Sequence, residues 1–216
     1  KNFLSFLQAC DVEINVIFSK YSIRAMISNG LLDESEHAII ETIDQLKSVS
    51  KSDFITGIEV SEVLAWRDDV RSLVNNNLPK ILLFEELVIE LNKRDLLPKM
   101  KKLNSRVWIH THCHQKVLTD KNIMKQALSL VPGIDVEIID SGCCGMAGDF
   151  GYKYPDLSER IAHQSLDKAI NNINSDDIVI ATGISCRSQF ADIFQNNAIH
   201  FSQLFVKTIN HENFKR

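Results

Sequence analysis

The sequence predicts an α/β fold, in which short parallel strands are covered by helices, and three observations support this. Short runs rich in β-branched and aromatic residues alternate along the whole chain with longer segments of helical hydrophobic spacing. Strands that alternate with helices are typical of parallel sheets with both faces covered. The chain has 216 residues, which is enough to bury a core without disulfide bonds.

The first half of the chain contains three predicted strands after an opening amphipathic helix. Strands are predicted at residues 12–18, 54–58 and 81–83, and helices at residues 33–49, from residue 61, and at residues 85–96. Asn29-Gly30 is a turn signal, and Asp33 is the predicted N-cap of the helix that follows it.

The second half repeats the same order of elements. Strands are predicted at residues 107–109, 136–139, 178–181 and 198–201, and helices at residues 114–130, 156–173, after 184 and from 202. Pro155 opens the second of these helices, and residues 141–152 form a glycine-rich loop.

A repeated motif suggests that the two halves are copies of one unit. Thr56-Gly57-Ile58 matches Thr182-Gly183-Ile184, and each motif follows an apolar strand and precedes a helix. We therefore expect two tandem, pseudo-duplicated units, at residues 1–104 and 105–216, of which the second carries the cysteine site.

Composition excludes several classes of protein. A formal net charge of -4 and a pI near 6.0 provide no broad cationic surface for nucleic acid. The apolar runs are far shorter than the roughly 18 residues of a membrane span. Residues 1–7 lack the features of a signal peptide, and this abrupt start predicts a fragment of a longer chain.

The five cysteines are an odd number at spacings unlike a secreted disulfide framework, which indicates a reducing compartment. We interpret Cys10, near the end of the opening helix, as a small buried apolar residue.

Cys113 and Cys186 occupy matching places, each between a strand and a helix. A helix N-terminus lowers the pKa of a thiol and so favours the thiolate form that binds metals. Both residues are then expected at the carboxyl ends of parallel strands, where crevices of open α/β sheets bind ligands.

Between them lies the vicinal pair Cys143 and Cys144, flanked by Gly142 and Gly145. Adjacent side chains of an extended chain point to opposite sides, so the backbone must turn sharply for both sulfurs to reach one place. Glycines permit such a turn. The prediction is one site for an iron–sulfur cluster or zinc, with His112 and His114 as further candidate ligands; His110 also lies nearby.

Two other interpretations of the cysteines remain open. They can be buried apolar thiols that never meet, or a catalytic or sensing thiol pair that oxidises.

Three segments resemble the cysteine-rich CCG domain found in heterodisulfide reductases and in the iron–sulfur subunits of glycolate, lactate and glycerol-3-phosphate oxidoreductases. They are HTHCHQK at 110–116, DSGCCGMAGDFGY at 140–152 and ATGISCRSQF at 181–190. They look most like the C-terminal iron–sulfur region of FAD-linked D-2-hydroxy-acid dehydrogenases. The resemblance implies that Cys113, Cys143, Cys144 and Cys186 are ligands of a cluster, with the 4Fe-4S type favoured and zinc as the alternative.

The chain departs from the family pattern in both units. Where the first unit of the family has a cysteine pair, this chain has Tyr21 and Ser22, and where a later cysteine is expected it has Glu62. The first unit is thus expected to bind no cluster and to support the second. Gln189 stands where some members carry a fifth cysteine, which argues against disulfide-reducing chemistry.

The resemblance implies an electron-transfer domain of a flavin-dependent 2-hydroxy-acid oxidoreductase, which is not catalytic alone. Its expected partners are the flavin-binding and ferredoxin-like domains of the parent protein and a quinone or other acceptor, with FAD in the upstream part. Its expected location is cytoplasmic or peripheral at the inner membrane face. The alternatives are a zinc-stabilised interaction module and a thiol–disulfide redox domain.

Overall fold

The computed structural model describes residues 1–49, 52–74, 78–120 and 122–209. The first half is mainly helical, with two short strands. Its elements are α1 (Asn2–Ala9), α2 (Ile23–Ser28), α3 (Leu32–Ser48), β1 (Ile55–Thr56), α4 (Val60–Arg67), α5 (Asp69–Leu73), β2 (Ile81–Leu82) and α6 (Phe84–Lys93).

The second half contains the larger sheet. Its elements are β3 (Ser105–His110), α7 (Cys113–Leu118), α8 (Ile123–Ser129), β4 (Ile134–Ile138), α9 (Phe150–Lys153), α10 (Pro155–Ile170), β5 (Ile178–Ala181), α11 (Ile184–Phe194) and α12 (Phe201–Thr208).

The strands form two parallel sheets, which confirms the predicted α/β class. β3 lies in the middle of the larger sheet, between β4 and β5, and pairs in parallel with both. Ile109 of β3 is paired with Ile138 and with Ile180. In the smaller sheet β1 pairs in parallel with β2.

The predicted strand at residues 12–18 is wrong, because that segment has no strand partner and is irregular. Val12 and Ile14 pack against the core, whereas Val16 and Phe18 are exposed. The alternation of apolar residues thus indicates that the start of the segment packs against the core. A strand also requires a neighbouring strand for its backbone hydrogen bonds.

The predicted helix at residues 114–130 is interrupted between α7 and α8. Thr119 has an extended backbone, and the Asp120 carboxylate accepts a hydrogen bond from the Asn122 N–H at 2.9 Å. A short aspartate side chain that bonds the backbone two residues ahead competes with helix formation.

Two smaller predictions also need correction. The helix expected to begin after Asp33 starts at Leu32, so that Asp33 lies in its first turn, where a negative charge favours the helix dipole. The strand predicted at residues 198–201 is reduced to one parallel bridge between Ile199 and Ile180.

Buried apolar side chains from both halves form one cluster. It includes Phe6 on α1, Phe84 on α6, Val107 on β3 and Phe205 on α12. The rings of Phe6 and Phe84 lie 5.1 Å apart, and those of Phe84 and Phe205 lie 5.7 Å apart. The two predicted units therefore share a core, and the boundary between residues 104 and 105 stays a prediction.

Two other clusters belong to one half each. One lies in the first half, around Ile39 and Leu64, and the other packs Phe190 and Leu166 against Cys144 and Cys186. Cys144 and Cys186 are thus part of a buried apolar cluster of the second half.

No helix within the described ranges combines the length and the apolar character needed to cross a membrane.

Glu62 ties α2 to α4 in the first half. Its carboxylate accepts hydrogen bonds from the Ser22 hydroxyl at 2.7 Å, the Ile23 N–H at 2.9 Å and the Arg24 N–H at 3.2 Å. These N–H groups belong to the first turn of α2, where no intrahelical acceptor is available. A single carboxylate therefore stabilises the start of a helix that is distant in sequence.

We expect Glu62→Ala to lower the free energy of unfolding by about 2 kcal/mol, because it leaves these donors without their charged acceptor. Glu62→Gln, which keeps one side-chain oxygen, should lose less. Urea denaturation of the purified chain measures both. Glu36→Ala, which removes an exposed carboxylate from α3, is the matched control; equal losses in the control and in Glu62→Ala would contradict this role.

Glu85 of α6 is a carboxyl buried between the halves. It accepts a hydrogen bond from the Gln115 amide of α7, and Gln115 in turn accepts one from the Thr182 hydroxyl at 3.0 Å. Burial raises the pKa of Glu85 to about 7. The folded chain then keeps this proton to a higher pH than the unfolded chain does. The free energy of unfolding therefore falls as the pH rises from the ordinary pKa of 4.5 to about 7.

Glu85→Gln removes the titrating group and keeps an acceptor for Gln115. The stability of this variant relative to the natural chain should rise by about 2 kcal/mol between pH 5 and pH 8. Urea denaturation at the two pH values tests this, with Glu36→Gln as the control. A difference that does not change with pH would show that Glu85 does not titrate as described.

Candidate metal centre

Cys113 is the first residue of α7, at the carboxyl end of β3. The N-cap of α7 is His112, whose Nδ1 accepts a hydrogen bond from the His114 N–H at 3.3 Å. The His112 N–H donates to the Thr182 hydroxyl, which follows β5. The loop that carries Cys113 is thereby held against the end of the neighbouring strand.

Cys186 is the third residue of α11, and Gly183 is the N-cap of this helix. A Cβ atom at Gly183 would lie 2.6 Å from Cδ2 of His112 and 3.6 Å from the sulfur of Cys186. A residue without a side chain therefore lets the His112 ring approach Cys186.

The loop with Cys143 and Cys144 turns sharply, as its glycines predict. Gly145 has a φ of +89°, and a Cβ at this position would clash with the carbonyl oxygen of Ser158 on α10. The Gly145 N–H donates to the sulfur of Cys143 at 3.3 Å, and the Ser158 hydroxyl donates to the Gly145 carbonyl at 2.9 Å. The turn is thus fixed both internally and against α10.

The three loops bring all four predicted cysteines together. The sulfur atoms of Cys144 and Cys186 lie 3.4 Å apart in a buried position. Cys113 and Cys143 are half-buried and lie close enough for each thiol to shift the pKa of the other, and Cys144 shifts the pKa of Cys143 as well. The interpretation as scattered thiols that never meet is therefore wrong.

Hydrogen bonds between the thiols divide them into two types. Bonds donated by Cys113 and Cys144 lower the pKa of Cys143 to about 2. The single S–H of Cys144 is shared between Cys143 and Cys186, so it also lowers the pKa of Cys186 well below its ordinary value. The pKa values of the donors, Cys113 and Cys144, are raised, because Cys143 accepts their protons in hydrogen bonds. Two sulfurs of the group thus favour the thiolate form that binds metals.

His110 is the histidine that faces the buried sulfurs, and the sequence-based ligand set did not contain it. Its ligand atom and the sulfurs of Cys144 and Cys186 all lie within 4.8 Å of one another. His112 lies beside Cys186, whereas His114 contributes its backbone N–H to His112. The position of His110 as the last residue of β3 is the one signal in the sequence that could have singled it out.

Gln189 does not point its amide at the sulfurs. It is buried, and its amide donates to the Ser158 hydroxyl at 2.9 Å. The residue that stands in place of a fifth cysteine therefore joins α11 to α10.

The first half holds a corresponding contact without sulfur. Glu62 is the third residue of α4, as Cys186 is of α11, and the Ser22 hydroxyl bonds to it as Cys144 bonds to Cys186. A hydrogen-bonded carboxylate thus stands in the first half where the second half has the Cys186 thiol.

Glu59 connects the first half to the cysteine helix of the second. Its carboxylate accepts a hydrogen bond from the Ile184 N–H at 3.2 Å, at the start of α11. It also lies 4.0 Å from the guanidinium of Arg187, which donates to the Ala181 and Thr182 carbonyls. The position of Cys186 therefore depends on both halves.

Cys10 lies apart from this group, in the shared core. Burial raises its pKa to about 12, so it behaves as an apolar side chain, as predicted.

The donor set fits a thiophilic metal. Thiolate and imidazole ligands suit zinc and iron–sulfur centres, and two thiolates about 2.3 Å from one tetrahedral ion lie about 3.8 Å apart. The separation of 3.4 Å between Cys144 and Cys186 is close to that value. Beside the sulfurs an open cleft of about 560 Å³ is lined by Cys143, Asp140, Ser165 and neighbouring residues, so Cys143 lies on the solvent side.

Comparison with known proteins agrees with this arrangement. Residues 107–191 match the family model CCG, the cysteine-rich domain. Over 135 residues the chain is 27% identical to a subunit of the anaerobic glycerol-3-phosphate dehydrogenase of Escherichia coli (strain K12), and the match covers 59% of this chain and 34% of that protein. No solved structure was found that matches the chain.

Two further relatives come from other bacteria. The chain is 26% identical over 198 residues to the D-2-hydroxyglutarate dehydrogenase of Pantoea ananatis, covering 86% of this chain and 18% of that protein. It is 26% identical over 125 residues to lactate utilization protein A 1 of Bacillus mycoides, covering 56% of this chain and 46% of that protein. The chain thus spans less than half of each of these relatives, of which one is a dehydrogenase and one a dehydrogenase subunit by name. Residues 107–191, which hold all four gathered cysteines, are thus similar to the cysteine-rich CCG domain.

Proposed function

We propose that the chain is an iron–sulfur electron-transfer domain of a flavin-dependent 2-hydroxy-acid oxidoreductase. The observation that carries the proposal is the meeting of four cysteine sulfurs from three separate loops. A metal centre bound by all four sulfurs needs this arrangement, whereas the stability of the fold does not. Cys113, Cys143, Cys144 and Cys186 would hold the cluster, with the 4Fe-4S type favoured. Such a cluster supplies reversible one-electron transfer.

The residues of this chain would position and shield the cluster. Phe190 and Met146 form the apolar side of the site, and Glu59 fixes the start of α11. Low polarity and limited access to water affect the reduction potential of a cluster. Cys143, which borders the open cleft, lies on the side from which a redox partner can approach.

The proposed partners are the ones that the resemblance to the CCG domain implies. Dehydrogenases of glycerol 3-phosphate and D-2-hydroxyglutarate are among the relatives by name, so we place the oxidation of the 2-hydroxy acid on a flavin-binding domain outside these 216 residues. Electrons would then pass from the flavin and a ferredoxin-like domain, through this domain, to a quinone or other acceptor. The proposed location is cytoplasmic or peripheral at the inner membrane face.

Anaerobic reconstitution with iron and sulfide tests the proposal. The natural chain should gain broad visible absorption and, after reduction by dithionite, an electron paramagnetic resonance signal. Changing any one of Cys113, Cys143, Cys144 and Cys186 to alanine should abolish or strongly reduce both. Cys10→Ala, which removes a buried cysteine outside the site, should retain both.

A chain that folds normally and yet takes up no reducible cluster would refute the electron-transfer role. A cluster that survives in all four alanine variants would refute the ligand assignment, because the gathered sulfurs would then not be its ligands.

A zinc-stabilised interaction module is the second candidate, and one observation favours it. The Cys144–Cys186 separation and the nearby His110 nitrogen suit a single tetrahedral ion. Expression with iron and zinc both available, followed by metal analysis, distinguishes the candidates: colourless protein with one zinc per chain would support the zinc module, and iron with sulfide would support the cluster.

A further inference from the structure

His110 is fully buried, and its Nε2 has no hydrogen-bond partner among the residues that the structure describes. A buried polar atom without a partner destabilises a fold, so native structures rarely contain one without a reason. Ser165 on α10 carries the other such atom among the described residues, but that residue is only half-buried and borders an open cleft. The ring of His110 is therefore the unexplained group at the centre of the site.

Two contacts fix the direction of the ring. Nδ1 lies 3.1 Å from the hydroxyl oxygen of Ser141, and the ring packs against Phe190 with centroids 5.3 Å apart. With Nδ1 protonated and donating to Ser141, the lone pair of Nε2 is free to bind a metal, and ligation requires this tautomer. Histidine ligands of metals usually donate their other ring N–H in this way.

Two other polar side chains near the sulfurs have hydrogen-bond partners of their own. Gln189 donates to Ser158, and Nδ1 of His112 accepts from the His114 N–H. His110 therefore has a ring of fixed orientation with one free nitrogen, close to the buried sulfurs of Cys144 and Cys186.

We propose that Nε2 of His110 is a ligand of the metal held by Cys144 and Cys186, so that the centre has a mixed nitrogen and sulfur donor set. This inference rests on the proposed metal centre. A zinc ion would be bound by His110 together with Cys144 and Cys186, whereas a cluster held by all four cysteines would gain His110 as a fifth ligand. A neutral imidazole adds no negative charge, whereas a thiolate adds one. A cluster with His110 as a ligand is thus easier to reduce than one with cysteine in that position, as histidine ligands raise the potential of Rieske centres.

Pulsed electron paramagnetic resonance of the reduced cluster, in chain labelled with ¹⁵N-histidine, tests the ligation. Directly bound imidazole gives a strong nitrogen coupling. This coupling should disappear in His110→Asn, which can keep the contact with Ser141 and lacks Nε2. It should persist in His112→Asn and in His163→Asn, the latter an exposed histidine of α10 paired with Asp167.

The variant His110→Cys distinguishes the loss of a nitrogen ligand from the loss of the whole metal centre. It should retain the cluster without the nitrogen coupling, and its reduction potential should shift to a more negative value. Where zinc is the bound metal, X-ray absorption at the zinc edge should show imidazole scattering that is lost in His110→Asn and kept in His112→Asn.

Three outcomes would overturn the inference. A reduced cluster or bound zinc without directly bound imidazole would refute His110 ligation and leave the proposed function standing. A nitrogen signal lost in His112→Asn but kept in His110→Asn would show that His112 is the ligand instead. A folded chain that binds no metal would refute the ligation and the metal centre together.

Discussion

The parallel pairing of β3 with β5 is the constraint on which the site depends. His110 is paired with Ala181, so the two strands end side by side and the loops that follow them carry Cys113 and Cys186 into one place. Val107 and Ile109 are buried, as is Ile180, and this fixes the register. A shift by one residue would turn the face that carries His110 away from the sulfurs, because side chains alternate along a strand.

The first half contributes to this geometry although it has no cysteine at the site. Glu59 holds the start of α11, and Glu85 acts through Gln115 and Thr182 on the loop between β3 and α7. Both cysteine-bearing helices are thus anchored by carboxylates from the first half. The first half is therefore required for the site even without sulfur ligands, because Glu59 and the buried Glu85 hold the two cysteine-bearing helices in position.

Much of the fold and the site could be predicted because local signals agreed with the tertiary structure. Cys113 and Cys186 follow apolar strands, and the glycines beside Cys143 indicate a turn, so the meeting of the sulfurs was foreseeable. His110 was not, because three alternating histidines look equivalent until the register of β3 is known. The irregular path of residues 12–18 was missed for a similar reason: alternation reports burial, whereas a strand also needs a partner.

The two sides of the site differ in a way that bears on how it exchanges electrons. Cys144, Cys186 and His110 are buried against Phe190, whereas Cys143 borders an open cleft. In the proposed function the buried ligands keep the surroundings of the metal apolar, and electrons would reach the surface by the shortest route through Cys143. A neutral imidazole would add no negative charge beside the buried thiolates of Cys144 and Cys186, and Cys143 would lie towards the redox partner. Burying one more thiolate there would cost more, since an uncompensated charge is least stable where it is least solvated.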